Sequence, residues 1–160
     1  MTNLIELRID DRRPFAGGHI FAATGAYERL SGRALFAVDP LAEANRDVVD
    51  LDKAPRDSRG LVRFESDFMI LKPLDMARGN RRVFYDYGNR GHKRALQFFN
   101  DAPHSNDPLS LAHAGNGFFM RHGYSVVWLG WEGDMLPGDG RLVLDLPVAT
   151  DNGKPITGRM

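Results

Sequence analysis

The sequence of 160 residues contains no cysteine, so disulfides, thiolate nucleophiles and cysteine-ligated zinc are all excluded. It also lacks net charge. Lysine and arginine number 21, as do aspartate and glutamate, which argues against a general nucleic-acid binder, so no nucleic-acid partner is expected. No apolar run approaches the ~20 residues that span a bilayer, and the opening MTNLIELRIDDRR has no apolar signal core. The expectation is a cytoplasmic protein with no membrane partner. Internal repeats and low-complexity tracts are missing as well, which speaks against solenoids and linkers.

What remains is ordinary globular material, 42% hydrophobic and 26% charged, enough for one domain spanning 1–160. Seventeen glycines and nine prolines spread along the chain predict short elements and many turns. Residues 4–9 and 30–38 read as strands within an irregular β-rich first third. The stretch 43–60 is polar, with only Val48, Val49 and Leu51 to anchor it. Residues 61–72 show a two-residue period, with Val62, Phe64, Phe68 and Ile70 on one face and Arg63, Glu65 and Asp67 on the other. That pattern fits an antiparallel strand with one wet face.

Residues 82–87 form a compact strand ended by Gly88-Asn89-Arg90-Gly91, and a polar connection follows over 89–107. Asp107-Pro108 is a helix start, which predicts a helix over 108–122, weakened by Gly115 and Gly117 with a break near Asn116 and stopped by Gly123. Residues 124–131 carry an unalternated apolar run, the mark of a strand covered on both faces. Together, 82–131 read as a βαβ unit. At the end, 142–149 alternates as a strand and Asp151-Asn152-Gly153 is a hairpin turn. The return strand after it is short, which predicts that the chain is the front part of a longer polypeptide.

Taken in order, the blocks PFAGG, GAYERLSGRA, VDP, DLDKAPRDSRGLV, FYDYGNRG and GNGFFMRHGYSVVWLGWEGD resemble the N-terminal part of an uncharacterised bacterial alpha/beta-hydrolase domain family, from about Pro14 to Thr157. The resemblance implies an α/β fold, a partial alpha/beta-hydrolase-like mixed sheet with β-rich N-terminal decoration. It further implies a serine hydrolase of ester-like substrates, whose missing C-terminal part would carry the catalytic machinery. None of the six serines stands in G-x-S-x-G, so no catalytic residue is identifiable and the chain alone is expected to be inactive. In that superfamily the loop after the third strand lends a backbone N–H to the oxyanion hole, a role that would fall to Asn89, Arg90 and Gly91. The alternative is a small non-catalytic β-rich binding or interaction module.

Other candidates are weaker. Trp131 and Glu132, at the carboxyl end of the 124–131 strand, and His92, beside the glycine-rich loop, are ligand-pocket candidates. Trp128, Tyr85 and Tyr87 are read as packing residues. The histidines show no metal spacing, and neither a metal nor a cofactor is expected. Arg78, Arg81, Arg82, Arg90, Lys93 and Arg94 face a single Asp86 in that stretch. They are read as a solvated loop pairing with Asp47, Asp50, Asp52 and Asp57, ahead of an anion site.

Overall fold

A computed structural model describes residues 3–157. Strands β1 (Asn3–Pro14) and β2 (Tyr27–Val38) form a long antiparallel pair, and β2 pairs in unbroken register with β3 (Val62–Pro73). Beyond β3 lie β5 (Ser125–Leu129), antiparallel to it, and β4 (Val83–Asp86), parallel to β5. The order is therefore β1-β2-β3-β5-β4. A two-residue strand, β6 (Leu144–Asp145), continues along the same edge of β3 that β5 occupies. A separate hairpin of β7 (Thr150–Asp151) and β8 (Lys154–Pro155) closes the described chain. Its turn places Asn152 and Gly153 at positive φ, the geometry an Asn-Gly pair favours.

The expected α/β-hydrolase-like fold is overturned. About a third of the chain is strand and about a fifth helical, and much of the helix is single 3-10 turns around a six-stranded mixed sheet. Strands 83–86 and 125–129 do run parallel. The connection between them, however, holds only α1 (Ala95–Asn100) and α2 (Phe118–Arg121) in place of one helix over 108–122. Gly115 and Gly117 explain the break. Both sit at positive φ, and a side chain on Gly115 would collide with the Asn100 carbonyl. Asp107 caps nothing, because its carboxylate is paired with Arg29. Ser110 instead forms a capping box with His113 for the 3-10 turn Leu111–Ala114.

The main core lies on one face of the sheet, where Tyr27, Leu71, Val126 and Trp128 meet Leu96, Phe119 and Met120. Asn100 is fully buried and satisfied, donating to the Ala114 carbonyl at 2.9 Å and accepting from the Phe119 amide at 3.2 Å. It ties the three short helical pieces together without a long helix. Cross-strand register puts Leu30, Ile70, Val127 and Tyr85 on the opposite face. The buried cluster there, Leu30, Ala34 and Phe68, consists of sheet residues alone.

Asp86 holds the far side of the sheet in place. Its Oδ2 accepts the Arg94 and Ala95 amides at 2.9 and 2.7 Å, which caps α1, and Trp128 Nε1–H at 2.6 Å. A carboxylate at exposed helix amides is favoured by both hydrogen bonding and the helix dipole. Replacing Asp86 by Ala strands three donors and should lower the unfolding free energy by about 3 kcal/mol in urea titration. Gly32 is a second fixed point, because a Cβ there would collide with the Arg8 carbonyl. Gly32→Ala should cost about 2 kcal/mol by the same measurement.

Candidate binding site

Arg90 and Trp131 lie at the carboxyl ends of β4 and β5, and their side chains are held by neighbouring protein groups outside the predicted set. Trp131 donates from Nε1 to the Gly88 carbonyl at 2.8 Å and meets Tyr87 edge-to-face at 6.3 Å. Arg90, at φ 54°, holds both oxygens of Asp134 at 2.9 and 3.0 Å. That pairing lowers the Asp134 pKa and raises that of Arg90. Gly91 is required by its φ of 72° and by the close approach of Leu142. His92 turns away to Asn106 at 3.3 Å and packs on His104. Glu132 leaves one buried carboxylate oxygen without a protein partner. The side chain of Asn89 lies outside the described residues.

Among the described residues no serine hydroxyl is hydrogen-bonded to residues 88–91; the buried Ser66 donates to the Gly130 carbonyl at 2.5 Å, beside Trp131. Among the described residues the one serine–histidine hydrogen bond is Ser110 Oγ to His113 Nδ1 at 3.2 Å, and that nitrogen also accepts the Leu109 and Ser110 amides. An Nδ1 that accepts backbone amides serves as a cap and is poorly placed as a general base. Among these residues there is also no group of three or more metal-ligating side chains. No helix is long and apolar enough to cross a membrane.

The basic cluster does not pair as expected. Asp57 binds Arg63, Asp50 binds Lys53, and Asp47 binds Arg46. Arg78 instead donates to the Ala23 carbonyl, and Arg94 to Gln97. Lys93 is only 3% exposed, and its ammonium donates to the carbonyls of Asn106 at 2.7 Å and Gly140 at 2.6 Å. It bolts two loops together beside a cleft of about 410 Å³ that Asp67 and Asp107 also line. Burial pushes its pKa down to about 8, against the pull of Asp107.

The apolar concavity is elsewhere. A half-enclosed cleft of about 370 Å³ opens on the end of the sheet where β2 stops and β3 begins. Its floor is Val38, Val62 and Phe64, one wall is Val48, Leu51 and Ala54, and the other is Leu144, Leu146 and Ala149. The polar groups at the cleft are already engaged. Asn45 donates to the Asp39 carbonyl at 2.8 Å, and Asp50 is paired with Lys53 at 3.1 Å. Size and lining fall in the range of small-molecule sites. Sequence reading missed it because its walls come from segments about a hundred residues apart. In sequence the stretch 43–60 is polar, and its three anchoring residues, Val48, Val49 and Leu51, all line the cleft.

Comparison of the chain with protein-family models, curated proteins and solved structures gives no match.

The lowered Lys93 pKa has a defined pH signature. Between pH 8 and the unfolded value near 10.5, the unfolded chain keeps a proton that the folded chain has lost. Stability should therefore rise with pH in this window, with a slope approaching about 1.4 kcal/mol per unit. Urea titrations at pH 8.0, 8.75 and 9.5 should show the rise, and Lys93→Met should abolish it.

Proposed function

We propose that this chain is a non-catalytic binding module whose ligand is an uncharged aliphatic chain held in the cleft between β2, β3 and residues 48–54 and 144–149. The observation that carries the reading is the cleft itself, apolar on its floor and aliphatic on both walls, with its Asn45 amide group hydrogen-bonded and Asp50 ion-paired to Lys53. Burying an alkyl chain there gains the hydrophobic term without breaking a polar contact. A carboxylate would meet Asp50 and no cationic side chain among the residues lining the cleft, and so would lose solvation without gaining a partner.

The rival reading, a segment of a serine hydrolase acting on ester-like substrates, draws on the resemblance and on the loop 88–91. It is less well supported, because Arg90 and Trp131 are engaged with Asp134 and Gly88.

Nile red, a neutral dye, should bind the chain and be displaced by 1-decanol well before decanoate. Leu146→Asp and Val49→Asp change half-exposed or exposed rim residues and should fold normally. Either should weaken decanol binding about ten-fold or more. Equal affinity for decanoate, or binding untouched by both variants, would contradict the proposal. Steady turnover of p-nitrophenyl butyrate by the chain would likewise contradict a non-catalytic module.

A further inference from the structure

The two edges of the sheet are built differently. β1 is guarded by two register shifts, between Leu4 and Glu6 and between Ile9 and Asp11, and by ion pairs Arg8–Asp10 and Arg13–Asp11 along its length. Bulges and charges of this kind discourage another strand from adding. β4 has neither. Its register with β5 is continuous from Val83–Ser125 to Asp86–Trp128, and it contains no proline.

Strand alternation fixes which backbone groups point outward. The Ser125 amide bonds to the Arg82 carbonyl, so Arg82, Phe84 and Asp86 turn their polar groups toward β5. Val83 and Tyr85 then direct N–H and C=O away from the sheet. Their side chains are 65% and 46% exposed on one face. On the other face Phe98 and Phe99 of α1 are 67% and 50% exposed, with Phe99 packed edge-on against Phe84 at 4.8 Å. The edge therefore offers two outward peptide groups between two apolar flanks. At its start stand Arg81 and Arg82, both exposed, and among the described residues neither forms an ion pair.

We infer that the β4 edge receives an extended, acidic peptide segment of a partner protein, which adds as a further strand. Main-chain hydrogen bonds to Val83 and Tyr85 give it affinity, and alternate apolar residues cover Tyr85 on one side and Phe98 and Phe99 on the other. An antiparallel ladder is the stabler pairing, so the partner's carboxylates fall at its C-terminal end, opposite Arg81 and Arg82. This inference stands apart from the aliphatic cleft, and either can fail without the other.

The test is fluorescence anisotropy with a labelled octapeptide of alternating valine and threonine ending in two glutamates. It should bind the intact chain and weaken as salt rises. Ending the peptide in two lysines should cost about ten-fold in affinity, and the double variant Arg81→Glu with Arg82→Glu should reverse that preference. Both positions are exposed, and far-UV circular dichroism should confirm an unchanged fold. Amide exchange at Val83 and Tyr85 should slow on binding. Equal affinity for the two peptides, no binding, or protection elsewhere would overturn the inference. So would a concentration-dependent dimer in sedimentation velocity that Tyr85→Lys abolishes, since the occupant would then be a second copy.

Discussion

The carboxylate of Asp86 is the point on which the far half of the molecule depends. β4 has only four residues and one partner strand, too little pairing to stay in place by its own ladder. One oxygen of Asp86 closes the first turn of α1 and grips the indole of the neighbouring strand. Strand, helix and buried aromatic are thereby fixed relative to one another. The loop that follows, with Arg90 clasped by Asp134 and Trp131 by Gly88, inherits its position from that junction.

Local patterns in the sequence were legible where local chemistry decides. The alternation at 61–72 is β3, the unalternated run after Gly123 is β5, and Asn152-Gly153 is the hairpin turn. The alternation of β3 misled in one respect. Met69 and Leu71, on the face read as polar, are buried under the helical layer, so the strand passes from one covered face to two. The helix over 108–122 failed because two positive-φ glycines flank Asn116, and a buried asparagine, Asn100, organises the connection through side-chain hydrogen bonds. Such a device leaves no periodic trace in sequence.

The candidate site was legible in its members and not in its state. The sequence names Arg90, Trp131 and Glu132 as separate candidates and does not show that Arg90 is held by Asp134 and Trp131 by the Gly88 carbonyl. The aliphatic cleft was illegible for a different reason. In sequence Val38 and Val62 belong to two strands, Leu51 to a polar stretch and Leu146 to the alternating run 142–149, and only the packing of four distant segments makes them one surface. Tyr85, read as packing, proved half exposed because the strand that carries it is an edge.

We propose that the molecule works by holding an aliphatic chain in the cleft at the ends of β2 and β3. The most direct measurement is isotope-filtered nuclear Overhauser spectroscopy of the labelled chain with 1-decanol. The account predicts cross-peaks from the alkyl protons to the methyl groups of Leu51, Val62 and Leu146. Cross-peaks confined to Tyr87 and Trp131 would contradict it.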